Sequence, residues 1–421
     1  MKVTISQLEN GLTIATQKIP EIESVTAGIW IKSGSRNEAI QQHGLAHMLE
    51  HMAFKGTANR SASKIAHDIE SVGGEINAAT SVENTGYYTR LLQENTELGI
   101  DILSDIMTAP LFDSAELEKE KQVVLQELGA ANDTPDDVVF DHFMNIAYKD
   151  QAIGRPILGT KKSVQSFQSS DMSNFMNQHY YAEHMVFVAV GAVEHDKIAS
   201  NVEKGLGEFP SKKADNSYKQ AKYIGGCKSE HRELMDAQVI LGFEGCAYMH
   251  GDFYKTQLLS VILGGGMSSR LFQNIREELG LCYSIYAFHW GFSDTGVFGI
   301  SAATDQDGIA TLMPAVITEL KRISENISPD EVSRALAQYK ASLIMSKESS
   351  AARAPAIARQ ILTYGRPVNN EEILKKLHAV TPREITELAE RIFLNSRPSL
   401  AAVGPIKKLI EYDDIYLSLQ S

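Results

Sequence analysis

The chain has 421 residues, 43% of them hydrophobic and 22% charged, with a formal net charge of −13 at pH 7. That length exceeds one ordinary domain and predicts two. The composition is that of a water-soluble globular protein, and the acidic balance excludes nucleic acid as the main partner.

The N-terminus, Met1-Lys-Val-Thr-Ile-Ser, starts on a strand-like pattern. It has neither the apolar core of a signal peptide nor an Arg-rich transit helix. A cytoplasmic bacterial protein is the simplest expectation; the mature form of a mitochondrial matrix protein would read the same way. No apolar run reaches the length of a membrane span, so no membrane partner is expected. Cys227, Cys246 and Cys282 fit no metal or redox spacing and read as free thiols in a reducing compartment.

The next element carries chemistry. His47-Met48-Leu49-Glu50-His51 reads H-x-x-E-H, the inverted zincin signature. Leu45, Met48, Leu49 and Met52 recur at i, i+3, i+4, i+7, which predicts a helix with one buried stripe. At about 100° per residue, His47 and His51 lie roughly opposite that stripe, one turn apart, where two imidazoles can grip one metal ion. Glu50 lies beside them and is free to take a proton from a metal-bound water. With roughly 3% His and roughly 7% Glu, about 0.02 such matches arise by chance in a chain this long. Two histidines remain an incomplete site, because catalytic zinc takes three protein ligands.

Gly73-Gly74-Glu75-Ile76-Asn77-Ala78-Ala79-Thr80-Ser81 reads as a turn leading into a strand of small residues. The stretch Ser114–Leu128 reads as a helix, with Leu117, Val124 and Leu128 as its stripe and capping-box spacing from Asp113 to Glu116. Glu120 and Glu127, two turns apart, share a face of that helix. One could ligate a metal while the other fixes a histidine tautomer, or both could belong to an ordinary acidic, solvated face.

The chain is duplicated. Asp171 to Gly191 runs helix, Tyr-Tyr, then Met-Val-Phe-Val-Ala-Val-Gly; Glu384 to Gly404 repeats that order 213 residues later and ends Pro-Ser-Leu-Ala-Ala-Val-Gly. At a similar offset Val25-Thr-Ala-Gly-Ile-Trp-Ile meets Gln238-Val-Ile-Leu-Gly-Phe. Two homologous domains follow, 1–209 and 225–421, joined by a polar, Lys-rich linker at 210–224. The second copy has Lys255-Thr-Gln-Leu-Leu-Ser-Val-Ile-Leu where the first has H-x-x-E-H, so only the first domain is expected to bind metal. Strands and helices mix without regular βαβ alternation, which predicts an α+β architecture. Gly264-Gly265-Gly266 forms either a flexible loop or a tight turn, and no G-K-[ST] follows to make it a phosphate cradle.

The run His43-Gly-Leu-Ala-His47-Met-Leu-Glu50-His51-Met-Ala-Phe-Lys-Gly56-Thr57 resembles the pitrilysin and mitochondrial-processing-peptidase family of zinc peptidases well beyond the core motif. The likeness extends over nearly the whole chain, and Asp141-His142 and Gly154–Gly159 lie in a segment similar to the processing-peptidase branch. The resemblance implies an antiparallel sheet flanked by helices in each half. It implies that the third ligand is Glu127, 127 − 51 = 76 residues after His51, with Glu120 behind a ligating histidine. One Zn²⁺ per chain is therefore expected, held by His47, His51 and Glu127, with Glu50 as the base.

Asn77, Ala78, Ala79 and Thr80 resemble the family strand to which an extended peptide adds by main-chain hydrogen bonds. Gly264–Tyr286 resembles a C-terminal substrate-clamping segment, in which Arg276 and Tyr283 match two donors able to stabilise an oxyanion and Gly264, Gly265 and Gly266 approach substrate. The implied function is a zinc endopeptidase acting on peptides or unfolded segments in an enclosed chamber, as a homodimer whose sites are completed in trans. A non-catalytic structural or peptide-binding subunit of the same fold is the alternative.

Overall fold

The computed structural model describes residues 2–211, 219–346 and 348–421. Residues 212–218, most of the expected linker's first half, lie outside the described residues.

Among the described residues, eleven strands form two sheets. β1 (Thr4–Gln7), β2 (Thr13–Lys18), β3 (Ser24–Ile31), β4 (Glu75–Thr80), β5 (Thr85–Leu92) and β6 (Met185–Gly191) make the first, ordered β1-β2-β6-β3-β5-β4. β7 (Gly226–His231), β8 (Asp236–Glu244), β9 (Ser284–Gly291), β10 (Gly296–Asp305) and β11 (Ser399–Gly404) make the second, ordered β7-β11-β8-β10-β9. Pairing is antiparallel except for β2 with β6 and β7 with β11. Omitting β1, the two orders are the same, with β3 answering to β8 and β6 to β11, as the 213-residue repeat requires. Even a constraint on single residues recurs. Gly191 and Gly404 end β6 and β11 at φ 134° and 124°. A Cβ there would lie 2.1 Å from the Ser24 carbonyl oxygen and 2.6 Å from that of Asp236, respectively. Only glycine adopts that backbone and tolerates that approach.

The central strands explain their composition. β3 and β6 are apolar almost without interruption and are buried along their length, because both faces of the sheet are covered. β4 at the edge alternates between exposed and half-buried residues. One face packs on helices from the same half of the chain, joining Leu12, Ile14, Ile29 and Ile31 to Leu45, Met48, Leu49 and Met52.

The other face is covered from far away in sequence. By spatial compactness, the first unit comprises residues 1–129, 155–219 and 345–367, and the second 130–154, 220–344 and 368–421. The helix Ser350–Tyr364 belongs to the first unit, where Ala354, Ile357, Ala358 and Ile361 bury Trp30, Val186, Val188 and Val190. The Thr26 and Ser350 hydroxyls, 3.0 Å apart, satisfy each other in that interface. The helix Pro135–Ala147 belongs to the second unit and packs on β11, β8 and β7 with Val138, Val139 and Phe143 buried. The spatial units are thus not the sequence halves 1–209 and 225–421: each takes a helix from the other half. Periodicity marks both helices as amphipathic but cannot say which sheet they cover. Among the described residues no helix is long and apolar enough to cross a membrane.

Ile357 is 7% exposed and packs in an apolar cluster with Trp30, Val186, Val188 and Val190. Ile357→Ala is expected to cost about 2–4 kcal/mol, because the truncation leaves a cavity in that cluster. Urea unfolding of the intact chain measures it, and a loss under about 1 kcal/mol would show that the helix Ser350–Tyr364 is not the cover of this sheet.

Candidate metal centre

The helix Leu45–Ala53 buries Leu45, Ala46, Met48, Leu49, Met52 and Ala53 and turns His47, Glu50 and His51 outward, each half-buried. Its start is held by residues that helix periodicity does not reveal. Glu38, 3% exposed, accepts the Gly44 N–H at 2.9 Å and the Ala46 N–H at 2.8 Å. This satisfies two of the amides that a helix start leaves unpaired. Burial pushes the Glu38 carboxyl up to about 8, against the opposing pull of these N–H groups and of Arg155. Arg155 donates to the Glu38 and Ala39 carbonyls at 2.6 and 3.1 Å. Gly44 has φ 92°, and a Cβ on it would lie 2.8 Å from the Gly159 Cα. Arg155 and Gly159 therefore seat the start of this helix. Glu38 escapes a capping-box search because it lies six residues before the helix N-cap, joined to it only by the fold.

The helix Ser114–Asn132 begins where Asp113 accepts the Ala115 and Glu116 N–H groups at 2.8 and 3.0 Å. It buries Leu117 and Val124 and brings two carboxylates to the histidines. Glu127 Oε2 lies 3.8 Å from His47 Nε2 and 3.6 Å from His51 Nε2. Glu120 Oε2 accepts from His51 Nδ1 at 3.0 Å, and Glu120 Oε1 pairs with Lys55 Nζ at 2.6 Å. That bond requires a proton on His51 Nδ1 and directs Nε2 toward Glu127. Burial, and next the neighbouring His51, lower His47 to about 4, so at neutral pH it is the uncharged, ligating form.

These residues fit a metal ion. One ligand atom from each of His47, His51 and Glu127 lies within 4.8 Å of the others. Tetrahedral ligands at bond lengths of about 2.1 Å are ~3.4 Å apart, close to the separations found. Glu127 Oε2 is buried without a hydrogen-bond partner, although the Glu127 side chain as a whole is 42% exposed. A buried, unpartnered carboxylate oxygen facing two imidazole nitrogens is what a cation would satisfy.

Glu50 is held apart from this set. The Thr80 hydroxyl donates to Glu50 Oε2 at 2.5 Å. Thr80 ends β4, which pairs only with β5 and leaves its other edge open. The Ser81 N–H bonds to the Asn84 carbonyl at 2.8 Å across the hairpin, so by antiparallel alternation the amides of Ile76, Ala78 and Thr80 point to the open edge. Asn77 Oδ1 accepts the Ala78 N–H at 2.8 Å. Ala79 is exposed on the opposite face of the strand from Ala78 and Thr80.

The remaining residues singled out in the sequence belong to the second unit. Arg276 lies in the π-helical turn Phe272–Glu278, its guanidinium 4.4 Å from the centre of the Phe272 ring. Tyr283 is 81% exposed just before the edge strand β9, and its N–H bonds the Ala303 carbonyl at 2.9 Å. Gly264 is expected from the resemblance to approach substrate. It is the last residue of the helix Phe253–Gly264 and is buried, and a Cβ there would lie 2.3 Å from the Ala287 nitrogen of β9. Its missing side chain admits the strand. Gly265 and Gly266 follow the helix end, exposed and half-buried. Asp141 and His142 lie on the helix Pro135–Ala147, where His142 Nε2 meets Glu230 Oε2 of β7 at 3.0 Å and anchors helix to sheet.

A half-buried two-histidine, one-carboxylate cluster on two helices offers the donor set of a metal site. Residues 13–161 match the family model described as insulinase (peptidase family M16), and residues 166–339 match the peptidase M16 inactive domain. A Rickettsia bellii protein named as an uncharacterized zinc protease is 40% identical over 402 residues, 95% of this chain and 97% of that one. The mitochondrial-processing peptidase beta subunit of Saccharomyces cerevisiae is 34% identical, covering 95% and 90% of the two chains. A solved protease structure from Helicobacter pylori shares the fold with a TM-score of 0.90 at 22% identity, over 96% of this chain and 99% of that one. The chain belongs to the peptidase M16 family, in the pitrilysin and processing-peptidase group of zinc peptidases.

Replacing the third donor should unmake the centre. Glu127→Gln is expected to weaken zinc binding at least tenfold, whereas Glu118→Gln, whose side chain is 67% exposed, should leave it unchanged. Zinc titration of the two variants compares them. Equal affinity in both would return Glu127 to an ordinary helix face.

Proposed function

We propose that this chain is a zinc-dependent endopeptidase that cleaves peptides or unfolded segments, with one Zn²⁺ per chain held by His47, His51 and Glu127. The observation that carries the reading is the convergence of these three donors beside a carboxylate, Glu50, that is not one of them. Zinc bound there supplies Lewis acidity and brings the pKa of a coordinated water toward neutrality. Glu50 accepts the proton through the oxygen that Thr80 leaves open and later returns it to the leaving amine. The His51–Glu120–Lys55 chain holds the imidazole tautomer throughout. An extended segment adds to the open edge of β4, pairing with main-chain groups at Ala78 and Thr80 once Asn77 releases the Ala78 N–H. Strand addition reads backbone more than side chain, which suits unfolded substrates.

Arg276 and Tyr283 supply donors to the oxyanion. In this reading they come from a second copy, so that two chains face each other as a homodimer, enclose a chamber and complete each site in trans. The duplication motivates this: the second unit repeats the first without its metal ligands, and its Tyr283 is exposed. A cytoplasmic setting accords with the free thiols Cys227, Cys246 and Cys282. The rival reading, a non-catalytic structural or peptide-binding subunit, does not need Glu50 or the metal donors, and all of them are present.

Two experiments test the proposal. Glu50→Gln should keep zinc and lose at least 10³-fold in turnover of a quenched peptide, because an amide cannot accept the proton. Near-parent turnover would remove Glu50 from the chemistry, and zinc loss would make it structural. Mixing Glu50→Gln chains with Tyr283→Phe chains tests completion in trans. A mixed dimer then has one site with both defects and one with neither, and recovers about half the parent activity. No recovery in a verified mixed dimer would show that each chain completes its own site.

A further inference from the structure

We infer that Thr80 is a positioning residue that ties the base, Glu50, to the substrate-pairing edge of β4, an inference that rests on the peptidase reading above.

Three observations converge on Thr80. It ends β4, and alternation along the strand puts its side chain on the same face as Ile76 and Ala78, which pack against the core that includes the helix Leu45–Ala53. Its hydroxyl donates to Glu50 Oε2 at 2.5 Å. A hydroxyl has one proton to give and a carboxylate has none, so the direction of this bond is settled by chemistry. Among the described residues no other hydrogen bond to the Glu50 carboxylate is formed, so Oε1 remains free. Finally, the Thr80 main-chain amide points to the open edge of the sheet, where an added strand would pair.

One residue therefore faces the incoming peptide with its backbone and the base with its side chain. A strand adding at Thr80 sits at a distance from Glu50 set by one rigid residue rather than by the flexible Glu50 side chain. β-Branching restricts χ1 of Thr80, which fixes the hydroxyl further. Glutamate has three side-chain torsions, and freeing its carboxylate lets it leave the productive geometry, in which errors of about 1 Å can cost 10²-fold. The hydroxyl is not needed to bind metal, since among the described residues it forms no hydrogen bond with His47, His51 or Glu127. It is not needed for main-chain pairing either, which uses the Thr80 amide and carbonyl.

The expected signature is a loss in kcat alone. Thr80→Val keeps shape and β-branching and removes only the donor. It should lower kcat about 10- to 100-fold on a quenched peptide, leave KM within about threefold, and retain parent zinc content and melting temperature. Thr80→Ser restores a donor and should recover kcat to within about threefold of the parent. If Thr80→Val fails to fold, Thr80→Ala carries the same comparison. Parent-like kcat in the donor-free variant overturns the inference. A rise in KM with unchanged kcat also overturns it, making Thr80 a substrate contact, and loss of zinc in both Val and Ala variants makes it structural. Failure of the peptidase reading is distinguishable: there the parent chain itself, loaded with zinc, cleaves no peptide.

Discussion

The structure turns on a small electrostatic problem: three electron-pair donors, two imidazoles and a carboxylate, brought within 4.8 Å of one another in a half-buried place. Without a cation the arrangement is costly. The Glu127 oxygen has no hydrogen-bond partner and His47 is pushed toward neutrality by burial. Much of the first unit works to hold this geometry. The stripe Leu45, Met48, Leu49 and Met52 presses one helix onto the sheet, and Glu38 holds the helix start through two amides. On the second helix, buried Leu117 and Val124 set the rotation at which Glu120 and Glu127 meet the histidines. Lys55 then secures Glu120 at 2.6 Å and, through it, the His51 tautomer.

In the proposed reading the sheet gives that centre its relation to a substrate. Its edge strand is short and small-featured, and it is left unpaired on one side. Open edges invite aggregation, and proteins that keep them manage the hazard. Here Asn77 folds its carboxamide onto the Ala78 N–H, occupying the donor that a stray strand would take first. In the second unit the corresponding helix ends at Gly264, against which β9 closes directly. One duplicated plan thus carries the two-histidine, one-carboxylate cluster in one half and, among the described residues, no such cluster in the other. The exchange of helices ties both to the whole chain, since the cover of β3 and β6 comes from residues 350–364.

Some of this was written plainly in the residues. His47, Glu50 and His51 lie within one turn and a residue of each other on a helix, so their mutual placement follows from 3.6-residue periodicity alone. The repeat at 213 residues announces two like sheets because β3 with β8 and β6 with β11 are local segments whose apolar character survives duplication. Glu120 and Glu127 are two turns apart on one helix, so either can be nominated for the metal. Choosing between them needed the family's spacing, because nothing local distinguishes a ligand from a solvated carboxylate.

What remained was decided by tertiary structure, since it depends on segments that meet only after folding. The Glu38 cap bridges six residues of irregular chain. The Thr80–Glu50 bond spans a helix and a hairpin, and the helix Ser350–Tyr364 crosses from one half of the sequence to the sheet of the other. Gly264 could be read as a loop until β9 was seen to occupy the space. Periodicity states which face of an element is apolar, and composition states what chemistry its polar face carries. Neither states which other element that face will meet, because that choice is made by packing among distant segments. In this protein those meetings bring a histidine-bearing helix, the carboxylates of a second helix and an unpaired strand edge together.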